Sequence, residues 1–219
     1  MNTFTLYTVA QMQEAERRTE CEYGIPLAVL MGNAGRCLTL AAMNMIKNPD
    51  DRIGIFCGSG NNGGDGYVCA ANLLRHGKNV ALWGIGYENL TDGSLVKNAA
   101  KAFIAAGGVI RPVSPELTAE DIKCSLIVDT LFGTGLKRPV SGLYAHAVSL
   151  INAVSSPVLS CDIPSGVDAD TGQIMGIAVY ADETLMMGLA KKACVLPPGC
   201  KCFGKPTLCD IGLPPELVK

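Results

Sequence analysis

Three aspartates and two asparagines stand where this sequence could do chemistry. Asn61, Asn62 and Asp65 lie in the glycine-rich run GSGNNGGDG at 58–66, Asp129 closes the apolar run SLIVD, and Asp162 opens DIPSG directly after the apolar stretch ending at Cys161. A carboxylate at the end of an apolar run costs free energy unless water, a cation or a hydrogen-bond donor meets it. A glycine-rich segment between a strand and a helix brings backbone N–H groups close to a phosphate. Gly58, Gly60 and Gly63 satisfy G-x-G-x-x-G by letter, a weak pattern on its own. What distinguishes this run is that Asn61, Asn62 and Asp65 occupy places where a dinucleotide motif carries small residues. If the three stretches converge, they form a cleft with Asp65, Asp129 and Asp162 in it. Three carboxylates repel a polyphosphate unless a cation intervenes or they face the other end of the ligand.

The elements that must position these residues follow from pattern. Thr8 and Gln11 form a capping box, predicting a helix to about Cys21, which Gly24 and Pro26 end. Apolar residues from Leu27 to Met45 recur at helical spacing, and Asn48-Pro49-Asp50 stops them. Residues 52–57 read as a strand, followed by the glycine loop and a helix ending near His76-Gly77. Asn79 to Gly84 is a second strand, 92–106 a helix, and Val109-Ile110 a short third strand. Ser125 to Asp129 is a fourth, with a helix near 143–154 beyond its loop. Pro157 to Cys161 is a fifth, and residues 177–187 and 206–211 supply further strands. Strands alternating with helices of this length imply one α/β domain over residues 1–219, with a mostly parallel, doubly wound sheet covered on both faces.

Composition bounds the function. The 219 residues are 48% hydrophobic and 17% charged, with a net charge of −2, which excludes wholesale disorder and gives no basic surface for nucleic acid. The most apolar long window, 27–46, is interrupted by Gly32, Asn33 and Arg36, so no membrane span is expected. The stretch MNTFTLYTVAQMQ lacks a basic-then-apolar leader pattern, so a reducing cytoplasm is expected and disulfides are not. Ten cysteines are many for this length. Those in apolar runs behave as small hydrophobes, and the group Cys194, Cys200, Cys202 and Cys209 lacks zinc-finger spacing.

The segments NNGGDG, VDTLFGTGLKRPVSG, DIPSGVDADTG and DETLMMGLAKKACVLPPG…DIGLP, in this order, closely resemble the YjeF N-terminal domain, the NAD(P)H-hydrate epimerase family. The resemblance runs from MGNAGR near 31–36 to Pro214. It implies a Rossmann-like three-layer α/β/α sandwich, often a homodimer. The implied activity interconverts the R and S epimers of hydrated NADH and NADPH, acting with an ADP- or ATP-dependent dehydratase. Carried over by position, it implies a potassium ion held by Asn62, Asp129 and Ser165, and Asp162 as acid/base. It also implies substrate contacts from Asn61, Asn62, Gly63, Gly64 and Asp65, from Gly133, Thr134, Gly135, Leu136, Lys137, Arg138 and Pro139, and from Asp162. An amide oxygen, a carboxylate and a hydroxyl are hard donors suited to such a cation. The chain departs from the family at Gly32, usually acidic or polar, at Met186-Met187 and at Ala190, which touch the pocket wall.

Other residues carry competing readings. Asp162 alternatively caps the Ser165-Gly166 turn. Lys137-Arg138 would meet the substrate's phosphates or stand solvated, and Lys191 or Lys192 is a further candidate for a substrate contact. His76 and His146 read as surface or cap residues on helices. Asp168, Asp170 and Gly172 hint at a calcium loop but lack the following glutamate, so a turn is expected. Two other functions would suit the same fold. An NAD(P)-binding oxidoreductase would want an acidic residue at the end of the second strand, where only Glu88 is near. A non-catalytic nucleotide-binding scaffold of the same fold would have lost the residues that Asn62, Asp129, Asp162 and Ser165 still supply.

Overall fold

A computed structural model describes residues 5–218. The opening four residues of MNTFTLYTVAQMQ and the closing Lys219 lie outside it. Thr8 Oγ1 accepts from the N–H of Gln11, and the Gln11 side chain accepts from the N–H of Thr8. This capping box starts α1 (Val9–Tyr23), and Gly24 in the left-handed region closes it. Glu20 then accepts from the N–H of Leu27 at the start of α2 (Leu27–Met45). A short β1 (Leu6–Tyr7) precedes both.

The sheet consists of β2 (Arg52–Cys57), β3 (Asn79–Gly84), β4 (Ile110–Pro112), β5 (Leu126–Thr130), β6 (Val158–Cys161), β7 (Glu183–Met187) and β9 (Lys205–Cys209). All its pairings are parallel, in the spatial order β4-β3-β2-β5-β6-β7-β9. The helices α3 (Asn61–Arg75), α4 (Leu95–Ala105) and α5 (Gly142–Ala153) complete the α/β/α layering. Strand side chains alternate between two cores. Ile53, Ile55 and Cys57 join Leu126, Val128 and Leu159 beneath α1 to α4, while Phe56, Ala81, Trp83 and Ile127 pack with Ala147, Val148 and Ile151 of α5. The chain runs outward from β2 through β3 to β4, then returns to β5 on the other side. The reversal between β2 and β5 is the switch point where open α/β sheets bind ligands.

The expected strands at 52–57 and 79–84 stand as read. Several boundaries differ. Val179 N–H bonds to Ser165 O and Ala181 N–H to Cys202 O, both outside the sheet, and the strand begins only at Glu183. The last strand is Lys205–Cys209. The helix expected at 92–106 begins at Leu95, where the Ser94 side chain caps it. The nine-residue glycine loop is three residues long, because α3 already starts at Asn61. A β-carbon on Gly63 would lie 2.0 Å from the Gly58 carbonyl oxygen, and one on Gly58 would lie 2.1 Å from that of Leu131. These glycines permit strand, loop and helix to pack at backbone contact, which overrides their poor helix propensity.

Two features were not expected. A parallel pair of β1 with β8 (Ala190–Lys191) sets Leu6 opposite Ala190 and Tyr7 opposite Lys191. Cys37 of α2 and Cys209 of β9 are joined as a disulfide, contrary to the expectation of none; 172 residues separate them in sequence and 6.7 Å separate their α-carbons. A pairing that depends on bringing distant elements together leaves no trace in local spacing. It also sets Cys209 apart from Cys194, Cys200 and Cys202.

Candidate active site at the β2–β5 switch point

The carboxyl ends of β2, β5 and β6 converge on a cavity of about 420 Å³. Ser59, Gly60, Asn61, Asn62 and Asp65 enter from the start of α3, Leu131 to Gly135 from the loop after β5, and Asp162 from the end of β6. Met12, Gln13 and Glu16 of α1 and Leu27, Leu30, Met31 and Ala34 of α2 close one side. Phe132 packs against Tyr144 with the rings tilted 37° and their centroids 4.5 Å apart, and both line the wall. An apolar wall over a polar floor suits a ligand with a ring at one end.

The floor is built from buried polar groups. Asp129 is fully buried on β5, and its carboxylate accepts from Ser160 Oγ (2.9 Å), Leu131 N–H (3.2 Å), Ser165 N–H (2.9 Å) and Ser165 Oγ (2.6 Å). Burial raises its pKa against the lowering effect of those bonds. Ser165 Oγ accepts in turn from Phe132 N–H at 2.8 Å. Asn62 is 8% exposed, and neither atom of its side-chain amide has a hydrogen-bond partner among the described residues. An orphaned buried amide is costly and marks a place for a missing partner.

Asp162 is the one non-glycine residue in the left-handed region among those described, with φ +67°. Strain of this kind persists where the surroundings hold it, commonly at functional sites. The Asp162 N–H donates to Leu185 O, its carboxylate accepts from Met187 N–H at 3.2 Å, and it forms an ion pair with Lys191. Lys191 is 2% exposed and also donates to Met187 O at 2.6 Å. Asp162 therefore does not cap the Ser165-Gly166 turn; Asp129 takes the Ser165 N–H instead. Asp65 is half-buried, and its nearest hydrogen-bond partner is the Cys161 thiol, 3.9 Å away. Burial pushes its pKa well above the usual carboxylate range, and the charges of Asp162 and Glu16 add to this.

Of the residues the resemblance implies, Asn61, Asn62, Asp65, Gly133, Thr134, Gly135 and Asp162 line the cavity. Gly63 and Gly64 are buried within α3, Gly64 against Met31. Leu136 packs in the core beside α5, and Lys137, Arg138 and Pro139 stand exposed on the loop beyond. Lys192 is partly buried outside the cavity lining, and His146 contacts Leu117 O through its ring nitrogen. Asp168 folds back on Thr171 as a turn, while Asp170 accepts from the N–H of Val9 at 2.8 Å and so caps α1. Glu88 lies exposed in a 3-10 turn at Tyr87–Asn89 rather than on the end of β3.

Sequence reading missed Glu16, Phe132 and Tyr144. Glu16 is half-buried, its pKa is raised by burial and by Asp162, and it has no hydrogen bond or ion pair among the described residues. The other acids of α1 do have partners: Glu14 with Arg17, Glu22 with Arg18, and Glu20 at the start of α2. The available signal was position, since Glu16 falls on the stripe formed by the buried Met12, Ala15 and Thr19.

A sequence profile described as YjeF-related protein N-terminus matches residues 27–193. The NAD(P)H-hydrate epimerase of Levilactobacillus brevis is 35% identical over 94% of this chain and 93% of its own length. That of Elusimicrobium minutum is 34% identical over 96% and 97%. The bifunctional NAD(P)H-hydrate repair enzyme Nnr of Thermofilum pendens is 36% identical over 96% of this chain, but the chain spans only 41% of that relative. The crystal structure of the yeast protein ynu0 superimposes with a TM-score of 0.78 over 93% of this chain and 87% of its own, at 21% identity, which bears on the fold alone.

Proposed function

The chain belongs to the family of YjeF-related protein N-termini, and from that premise we propose that it is an NAD(P)H-hydrate epimerase. The single observation that carries this reading is the buried polar floor at the switch point, with strained Asp162 aimed into the cavity beside orphaned Asn62. In the substrate, a hydroxyl sits on a ring carbon beside the ring nitrogen. The nitrogen's electron pair weakens that C–O bond, so proton transfer to the leaving oxygen and return of water on the opposite face inverts the carbon. Asp162 is the residue this reading puts at the reacting carbon. Its carboxylate, steadied by Lys191 and the Met187 N–H, balances the positive charge that develops on the ring. The wall of Phe132, Tyr144, Met12 and Leu30 keeps bulk water from the reactive ring.

Potassium fits the residues present. Asn62 offers a buried amide oxygen without a partner among the described residues, Asp129 a buried carboxylate met by neutral donors, and Ser165 a hydroxyl oxygen bonded to that carboxylate. A cation held there would supply positive charge against Asp129 and the phosphates of the substrate. The same reading has the protein acting as a homodimer in the cytoplasm, beside a dehydratase that consumes the S epimer. The bifunctional relatives, by their name, carry NAD(P)H-hydrate repair on one longer chain, of which this chain spans about two fifths.

The test starts from the purified R hydrate of NADH and follows the S signals by proton NMR. Wild-type protein should bring the two epimers to equilibrium far faster than buffer, and Asp162→Ala should slow this at least about a hundredfold. An unchanged rate in Asp162→Ala would remove its role. No catalysis by the wild type would sink the reading altogether.

A further inference from the structure

We propose that Asp65, rather than Asp162, carries the proton that is handed to the departing hydroxyl, while Asp162 works as the ionised partner across the same cavity floor. This deepens the epimerase reading and rests on it. The two carboxyls are held in opposite ways. Asp162 is met by an ammonium and a backbone N–H, both of which favour the carboxylate. Asp65 lines the same cavity, but its only hydrogen-bond partner among the described residues is the weakly donating thiol of Cys161, the residue immediately before Asp162. The groups that face it are Asp162 and Cys161 at the end of β6, Glu16 on α1 and Lys191 on β8. Two of these are further acids, and the one cation is already committed to Asp162 and to Met187 O. A carboxyl among acids in a half-buried place holds its proton, and the direction of its pKa agrees. A proton-holding carboxyl beside one bound in an ion pair is an arrangement by which carboxyl pairs divide acid from base.

The Asp65 proton passes to the ring hydroxyl as the C–O bond breaks with its electron pair, water leaves, and the ring nitrogen donates its pair to form a cationic C=N bond opposite the Asp162 carboxylate. Water then adds to the other face, its oxygen forming the new C–O bond, and Asp162 accepts the proton it loses. The enzyme is left with Asp65 ionised and Asp162 protonated, the form required for the reverse epimerisation. Lys191 favours return of the proton from Asp162 to Asp65, which resets the forward form.

The experiment compares wild type with Asp65→Asn, a change that keeps shape but removes the acidic proton. Epimer exchange should fall at least about a hundredfold in kcat with little change in KM. The decline of the wild-type rate at high pH, set by loss of the Asp65 proton, should vanish from the residual rate of the variant. Independently of activity, the infrared difference between the two proteins at pH 7 should show the carbonyl stretch of a neutral carboxylic acid present only in the wild type. A variant within threefold of wild-type rate, or a difference spectrum without that band, overturns the proposal while wild-type exchange leaves the epimerase reading standing. A wild type without exchange removes both.

Discussion

Lys191 holds the Asp162 carboxylate against two other acids, so its removal leaves a nearly buried charge with one backbone donor. Breaking a buried pair from one side costs about 3–5 kcal/mol. Lys191→Met is expected to lose about 3 kcal/mol in urea unfolding, and a loss under 1 kcal/mol would show that the pair contributes little. Asp65 gives the opposite expectation. Its folded pKa lies above its unfolded value, so the folded protein binds the extra proton as pH rises past about 4. Stability associated with this group is full below that pH and declines as pH climbs towards the folded value. Asp65→Asn should therefore be more stable than wild type at pH 7, by a few degrees in Tm, with the decline removed. Asp51 runs the other way: its carboxylate accepts from the N–H groups of Lys47 and Asn48 and from Ser125 Oγ, and its pKa is lowered to about 2. The stabilisation it contributes is present above about 4 and is lost as pH falls through about 2. A carbon-13 titration of its side chain with a midpoint near 4 would contradict this.

Among the elements, α2 and α3 cross closely at Gly35, where an added β-carbon would lie 2.4 Å from Val68 Cγ1. Gly35→Ala should push the helices apart at a cost of about 1–3 kcal/mol, and loosen the cavity wall formed by Leu30, Met31 and Ala34. Guanidinium unfolding checks the first part and epimer exchange the second. The strands were legible because apolar runs bounded by glycine, proline or aspartate leave little choice of ends, as at 52–57 and 79–84. The start of α3 was not, since Asn-Asn-Gly-Gly-Asp-Gly reads locally as a loop and becomes helix only through its packing on Gly58 and Met31. The same distinction runs through the site. Asp129 and Asp162 announced themselves by lying at strand ends and Asp65 by standing in a glycine-rich run, whereas Glu16 sits in an ordinary amphipathic helix among three other glutamates. Only the approach of α1 to the end of β6 gives it meaning.

At the scale of the molecule, the Cys37–Cys209 link ties α2, which walls the cavity, to the edge strand β9. Closing so long a loop restricts the unfolded chain, an effect of about 2–4 kcal/mol in typical proteins. Cys37→Ala should lower stability by that amount in oxidising buffer and by much less under reductant. Peptide mapping without reductant should recover the two cysteines cross-linked; free thiols at both would remove the expectation. Exposed Val29 and Leu40 lie on α2 and Leu208 on β9, and gel filtration decides whether a second copy covers them.

The latch between Asp170 and the first N–H of α1, together with the pairing of Tyr7 with Lys191, has a consequence for synthesis. Val9 and its cap are 161 residues apart in the chain. As the chain leaves the ribosome, α1 emerges with its capping box ready, yet Asp170 and Lys191, which hold its first turn and the strand before it, are made much later. Local helix formation can proceed at once, but the cavity floor closes only when the late strand arrives. The end of α1 that brings Glu16 to the cavity wall is therefore fixed only after Asp170 and Lys191 have been made.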